Sequence, residues 1–85
     1  MKPNEIKVLD LGEAAALLST NYDLIRLEKA SYDWQRAFIF DDPDRTAFAT
    51  LSEYRAGKLD IDALDYYQCT KTLKHRIRDD REGAL

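Results

Sequence analysis

The 85-residue sequence contains a single cysteine, Cys69, so no disulfide bond can form within the chain. A domain this small must then be held together by its apolar core, because disulfides are the usual reinforcement at this size. Hydrophobic residues make up 45% of the chain, which has only three glycines and two prolines. This composition excludes fibrous and low-complexity classes and predicts one domain over residues 1–85.

The lone thiol also favours a reducing compartment, since secreted domains of this size usually depend on disulfides. The first residues are polar, and no apolar run approaches the roughly 18 residues of a membrane span. We therefore expect neither a signal peptide nor a transmembrane anchor. The expected location is the cytoplasm, with no membrane partner.

The first 21 residues predict a short strand followed by a capped helix. Residues 6–9 predict a brief strand. Asp10 predicts the start of a helix, with Glu13 reaching back as in a capping box, and Asn21 predicts its left-handed end.

Two runs rich in aromatic and aliphatic residues follow, at 22–28 and 34–40. They predict a β-hairpin. The second run carries apolar side chains on both faces, which is typical of a central strand.

The second half predicts two helices. The segment 41–44 (Asp-Asp-Pro-Asp) predicts a helix start with Pro43 at the first helical position, and Gly57 predicts its end. Asp60 or Asp62 then caps a final helix with apolar positions spaced by three and four residues. These positions are Ala63, Tyr66, Thr70, Leu73 and Ile77. We expect this helix to reach at least Arg78, the ordered part to cover about 5–79, and the tail to fray.

The resulting β-α-β-β-α-α order predicts an α+β fold, with a sheet of two or three strands covered by helices. A hairpin alone is marginal in water, so the helices are expected to bury one sheet face. The side chains expected to do so are Phe38, Phe40, Phe48, Leu51, Tyr66 and Leu73.

This arrangement resembles a family of short bacterial and phage proteins classed as a domain of unknown function. The resemblance covers roughly residues 6–79, with Asn21 where such proteins often carry glycine. It is carried by Asp10-Leu11, Ala14-Ala15 and Leu17-Leu18, Asn21-Tyr22-Asp23-Leu24, Phe38-Ile39-Phe40-Asp41-Asp42, Tyr54-x-x-Gly57 and Leu73-Lys74-x-Arg76-Ile77. It implies a small prokaryotic or viral cytoplasmic protein and supplies no catalytic residues.

The final helix carries a candidate nucleic-acid surface. At 100° per residue, Tyr67, Lys71, Lys74 and Arg78 fall within a sector of about 60°. Cations beside an aromatic ring suit phosphate contacts and base stacking. The alternative is a solvated flank with cations near the negative helix end, which the net charge of −3 favours.

Carboxylates concentrate in residues 41–65, which carry seven Asp or Glu against three Lys or Arg. Asp41, Asp42, Asp44, Asp60, Asp62 and Asp65 form this acidic set. Helix capping and solubility explain most of it, partner electrostatics are the next alternative, and the spacing lacks the pattern of a calcium loop.

Motifs for catalysis, phosphate binding or zinc are lacking in the sequence. His75 and Asp79 lie one helical turn apart, but two ligands are too few for a closed metal site. Cys69 lies at the edge of the apolar stripe, where a structural thiol is expected. We expect no enzyme, no cofactor and no metal.

The aromatic residues offer a candidate protein-binding patch. Five tyrosines and one tryptophan exceed what so small a core can bury entirely. Tyr32, Trp34, Tyr66 and Tyr67 are the candidates, because tyrosine and tryptophan are enriched at interaction hot spots. The alternative is that Trp34 and Tyr66 complete the core.

Two functional hypotheses remain. The first is a cytoplasmic protein-interaction or regulatory module that binds a second copy or a host protein. The second is nucleic-acid binding through the basic face of the final helix. We favour the first, because an acidic middle and a basic end suit electrostatically directed docking.

Overall fold

The helices and strands of the computed structural model, which describes residues 4–32 and 34–83, follow the predicted β-α-β-β-α-α order and form an α+β fold. They are β1 (Glu5–Val8), α1 (Leu11–Ser19), β2 (Leu24–Lys29), β3 (Arg36–Asp41), α2 (Ala47–Arg55) and α3 (Ala63–Gly83). The helix and strand types predicted from the residue pattern are all confirmed.

The three strands form an antiparallel sheet in the order β1-β3-β2, so β3 is central as predicted. Phe38 lies opposite both Val8 and Leu27 in the two ladders. Phe38 and Phe40 are buried in the main apolar core, whereas Ile39 is buried outside that core cluster. Because successive side chains alternate across a strand, Ile39 faces the side of the sheet opposite the core.

A register shift of the β-bulge type lies between Leu24 and Arg26. Leu24 pairs with Phe40 and Arg26 pairs with Ile39, so one extra residue, Ile25, is accommodated. The shift places Leu24 and Leu27 on the core face, although they are three residues apart. It also turns Arg26 to the opposite face.

Helix α1 lies at the centre of the molecule. Ala14, Ala15, Ala16 and Leu17 are all fully buried, which requires neighbours on every side of the helix. The sheet, α2 and α3 supply them. Three successive alanines permit this close approach because they carry so little side-chain volume.

The predicted ends of α1 and α2 are confirmed, and both use the same motif. Asn21 has φ 74° and Gly57 has φ 72°. In each case the next residue donates back five positions: Tyr22 N–H to Leu17 O at 3.1 Å, and Lys58 N–H to Glu53 O at 2.8 Å. This pattern defines a Schellman motif.

The start of α2 differs from the prediction. The helix begins at Ala47, and Pro43 lies in a preceding turn rather than at the first helical position. Arg45 has φ 56°, which interrupts a helix between Pro43 and Thr46. The carboxylate of Asp42 still supplies the cap from upstream, accepting Thr46 N–H at 2.9 Å and Ala47 N–H at 3.2 Å.

The buried side of α2 is narrower than predicted. Ala47 and Leu51, four residues apart, face the core, and Phe48 is 72% exposed. The prediction that Phe48 covers the sheet is therefore wrong. The other predicted core residues are buried, except Tyr66, which is half-buried.

Helix α3 is about 30 Å long, given 1.5 Å per residue. Asp62 caps it by accepting Asp65 N–H at 3.0 Å. The helix continues past Arg78 to Gly83, and Asp80 forms an ion pair with the buried Arg36 at 2.5 Å. The helical structure thus extends beyond the predicted ordered part, and residues 84–85 lie outside the described residues.

None of the helices in the described ranges combines the length and apolar character needed to cross a bilayer.

Candidate interaction surfaces

The first candidate surface is the tip of the β2–β3 hairpin. Tyr32 is 59% exposed and Trp34 is 61% exposed. Their rings stack with centroids 5.2 Å apart and planes within 6°. The alternative that Trp34 completes the core is therefore wrong.

Backbone hydrogen bonds explain why the tip holds this shape. Ala30 N–H donates to Gln35 O at 3.2 Å and closes the loop. Gln35 N–H also donates to Tyr32 O at 3.0 Å. The two hydrogen bonds hold the loop from which the exposed, stacked rings of Tyr32 and Trp34 project.

The other two aromatic candidates lie elsewhere. Tyr66 is half-buried, and Tyr67, the next residue of α3, is 59% exposed. The Arg36–Asp80 ion pair places the loop end of the hairpin at the C-terminal part of α3. Tyr67 lies about 20 Å from Asp80 along the helix axis. The four predicted residues therefore form two separate pairs rather than one patch.

Tyr66 is held by hydrogen bonds at the start of α1. Its hydroxyl donates to Gly12 O at 3.3 Å and lies 3.1 Å from the Tyr54 hydroxyl. The hydrogen bond with Tyr54 is the largest of the causes that raise the pKa of Tyr66 to about 12. Burial and the negative charge of Asp10 raise it further. Tyr66 therefore stays a neutral hydrogen-bond donor over the physiological pH range and ties α3 to α1 and α2.

The basic face of α3 consists of Tyr67, Lys71, Lys74 and Arg78, and all four side chains are exposed, as the nucleic-acid hypothesis requires. The Lys71 ammonium lies 5.4 Å from the Tyr67 ring centroid, a cation–π contact. Arg78 donates to His75 Nδ1 at 2.6 Å. Part of the donor capacity and one side of the Tyr67 ring are thus already engaged within the helix.

Two of the six acidic residues serve helix starts. Asp42 caps α2 and Asp62 caps α3, so capping explains fewer of these carboxylates than predicted. Within residues 4–32 and 34–83, no three His, Cys, Asp or Glu side chains are grouped so that they would hold a metal ion. The exposed carboxylates of Asp44, Asp60 and Asp65 remain available for partner electrostatics.

Cys69 is half-buried against the core. Burial, and secondarily the charge of Asp65, raises the pKa of the Cys69 thiol. A raised pKa reduces the reactive thiolate fraction, so the environment is that of a structural thiol.

The sequence prediction missed an apolar groove where α2 ends and α3 begins. The groove has a volume of about 340 Å³. Its lining residues are Tyr54, Gly57, Leu59, Ile61, Ala63 and Tyr66. The available signal was the alternation of Leu59 and Ile61 with Asp60 and Asp62, which marks an extended segment with one apolar side.

Comparison of the chain with protein-family models, curated proteins and solved structures finds no match. The resemblance to short bacterial and phage proteins therefore stays a prediction.

Proposed function

We propose that this chain is a small protein-interaction module that binds its partner through the hairpin tip of Tyr32 and Trp34. The supporting observation is the stacked and exposed pair of rings. Apolar side chains of this size favour a buried environment, and the core of this molecule is complete without them. A partner surface would provide that burial.

The geometry of the pair suits a binding anchor. Tyrosine and tryptophan dominate interaction hot spots because each buries about 150–250 Å² and has few rotatable bonds. Stacking and the turn at Gln35 already restrict both side chains in the free protein. Ordering on binding would therefore cost little conformational entropy.

A comparison of two alanine variants tests this proposal. Trp34→Ala removes the larger ring, and Phe48→Ala removes a ring that is even more exposed but isolated on α2. Host proteins retained by the immobilised wild-type chain should be lost with Trp34→Ala and kept with Phe48→Ala.

A direct binding measurement then uses the single tryptophan of the chain. Adding the purified partner should shift the Trp34 emission to shorter wavelength, since the indole leaves water. Retention of the same proteins by Trp34→Ala, or an unchanged emission spectrum at saturation, would contradict the proposal.

The alternative function is nucleic-acid binding through the basic face of α3, and the supporting observation is the exposure of all four of its side chains. It predicts affinity for single or double strands that falls steeply with salt. Lys71→Glu combined with Lys74→Glu should abolish this affinity. Lys7→Glu combined with Lys58→Glu makes the same charge change elsewhere and should weaken it only slightly. Absence of binding at low salt would exclude this function.

The proposed setting is the cytoplasm of a prokaryotic or phage-infected cell, where such a module would modify a host process or pair with a second copy. The lone cysteine and the family resemblance support this setting.

A further inference from the structure

The outer edge of β2 has no strand beside it within residues 4–32 and 34–83. The sheet order is β1-β3-β2, so β2 pairs with β3 on one side only. β2 spans six residues, whereas the other edge strand, β1, spans four. An unpaired edge is a template for a further strand, and a short edge strand is one way in which proteins avoid such pairing. Of the two edges, β2 is therefore the better template.

The backbone geometry of this edge centres on Leu27. Ala30 N–H donates to Gln35 O at 3.2 Å, so the hydrogen-bonding groups of Ala30 point toward β3. These groups alternate in direction along an antiparallel strand, so those of Arg26 and Glu28 also point toward β3. The N–H and C=O of Leu27 point the other way, out of the sheet edge.

The edge also carries apolar side chains. Leu24 and Leu27 are half-buried against the core, and Ile25, at the bulge, is 42% exposed. No proline interrupts residues 24–29. A second strand laid along β2 would cover the exposed parts of these three side chains, and burial of apolar area favours association.

The charges of β2 determine which strand fits. Arg26 and Glu28 lie on the sheet face opposite the core, with side chains 40% and 41% exposed. When two β2 strands pair antiparallel about Leu27, Arg26 of each copy lies opposite Glu28 of the other. These are non-hydrogen-bonded positions, where facing side chains are closest and opposite charges stabilise the pair. One two-fold axis produces both ion pairs, so the edge is complementary to a second copy of itself.

The ion pairs within one chain do not prevent this pairing. Arg26 Nε donates to Glu28 at 2.9 Å, and the two Nη atoms of Arg26 donate to Glu5. A guanidinium carries more N–H donors than these bonds use, and each carboxylate oxygen accepts more than one hydrogen bond. The second copy would therefore extend the Glu5–Arg26–Glu28 chain of charges instead of breaking it.

From the open edge, its apolar side chains and its self-complementary charges, we infer that two copies of this chain pair antiparallel along β2. The product is a continuous sheet with the three strands of each copy. Lys29 lies opposite Ile25 of the second copy, and its aliphatic stem covers that exposed side chain. The contact is small, so the dimer forms only at high concentration. It uses no residue of the hairpin tip and does not depend on the proposed function.

Sedimentation and amide hydrogen exchange of the full chain test this inference together. Sedimentation from micromolar to millimolar concentration should show a monomer that converts to a dimer. Over the same range, exchange of the Leu27 amide should slow about tenfold, because this N–H then donates to the second copy.

The matched control for exchange is the Lys7 amide of β1. Asn4 O accepts Asp42 N–H at 2.7 Å, so the hydrogen-bonding groups of Asn4 and Ile6 point toward β3. The Lys7 amide therefore points out of the opposite sheet edge. It should exchange equally fast at every concentration.

Two variants of β2 separate this edge from other surfaces. Glu28→Lys places a lysine opposite Arg26 of the second copy and should raise the dissociation constant of the dimer about tenfold, because facing like charges destabilise a strand pair. Ile25→Lys should have a similar effect and leaves the ion pairs in place, so it remains informative if Glu28→Lys lowers stability. The controls are Glu53→Lys and Phe48→Lys, which introduce lysine at exposed positions of α2 and should change the constant less than about twofold.

A chain that stays monomeric at millimolar concentration would overturn the inference. A dimer in which the Leu27 amide exchanges as fast as in the monomer would do the same, and slowing of the Lys7 amide instead would place the contact on β1. Dimerisation that Trp34→Ala abolishes and Glu28→Lys leaves intact would place the contact at the hairpin tip and also overturn the inference. Host-protein binding should be unaffected by Glu28→Lys, so a failure here is distinguishable from a failure of the proposed function.

Discussion

Arg26 reaches across the central strand to Glu5 and forms a two-pronged ion pair, with Nη1 to Oε2 at 3.2 Å and Nη2 to Oε1 at 3.0 Å. The two residues lie on the edge strands β2 and β1, on the sheet face opposite the helices. Ile39, which pairs with Arg26 in the β2–β3 ladder, is fully buried on this face. We expect the ion pair and the aliphatic part of Arg26 to shield Ile39 there.

The first prediction is that Glu5→Gln lowers the melting temperature more than Glu28→Gln does. Both carboxylates bond to Arg26, but the Glu5 side chain is only 5% exposed and accepts from two nitrogens, whereas that of Glu28 is 41% exposed and accepts from one. Loss of a two-pronged bond also frees Arg26 to move away from Ile39. Hydrogen exchange at the Ile39 amide should accelerate in Glu5→Gln. Equal melting temperatures for the two variants would show that the pair does not cover the sheet.

The second prediction is that Gly12→Ala does not raise the free energy of unfolding, as replacing a helical glycine by alanine usually does. In a helix, Gly→Ala normally stabilises by about 0.5–1 kcal/mol. Here the new Cβ would lie 2.7 Å from the Tyr54 hydroxyl oxygen, so Gly12→Ala should be destabilising. Tyr54→Phe removes that oxygen, and the nearest remaining atoms to the new Cβ are Asp10 Oδ2 at 3.1 Å and the Tyr66 hydroxyl oxygen at 3.2 Å. In this background Gly12→Ala should cost about 1 kcal/mol less stability.

Urea unfolding of the four proteins in this cycle measures that coupling. Gly57→Ala is the control, because it meets no atom but has φ 72°. It should cost about 1 kcal/mol equally in both backgrounds. Additive effects of Gly12→Ala and Tyr54→Phe would contradict the close contact.

Local sequence signals were enough to predict the order of elements and most of their ends. Asp10 acts as a cap through its own side chain, and Asn21 and Gly57 end helices through their own backbone. The start of α2 was not predictable in this way, since it depends on the left-handed conformation of Arg45. That conformation moved the helix start to Ala47.

The missed features of the candidate sites depend on contacts between distant residues. Arg36 and Asp80 are 44 positions apart, and their ion pair extends the ordered helix beyond Arg78. The same contact places the hairpin tip near the C-terminal part of α3, far from Tyr67. The exposure of Tyr32 and Trp34 could be predicted from composition and from their position near a turn. Their stacking could not, because it depends on the geometry of the loop.

The third prediction is a loss of stability in alkali that depends on Tyr66. Its folded pKa of about 12 lies above the ordinary value of 10, so folding favours the protonated phenol. The resulting stabilisation is fully present below pH 10 and is lost as the pH rises from 10 to 12. Ultraviolet absorbance should show one tyrosine ionising late, and Tyr66→Phe should remove that transition. A late transition that persists in Tyr66→Phe would assign it to another tyrosine.

The fourth prediction concerns the reactivity of Cys69. Burial and the charge of Asp65 raise the pKa of the thiol, so less thiolate is present at pH 8 than in an unfolded peptide. The folded chain should therefore react with iodoacetamide more slowly than the urea-unfolded chain.

Two variants separate the causes. Asp65→Asn removes the secondary cause, and it should speed the reaction because the pKa of the Cys69 thiol falls. Asp79→Asn removes a carboxylate from the same helix well away from Cys69 and should leave the rate unchanged. Since burial is the larger cause, Asp65→Asn should recover only part of the difference, and complete recovery would show that charge, not burial, protects Cys69.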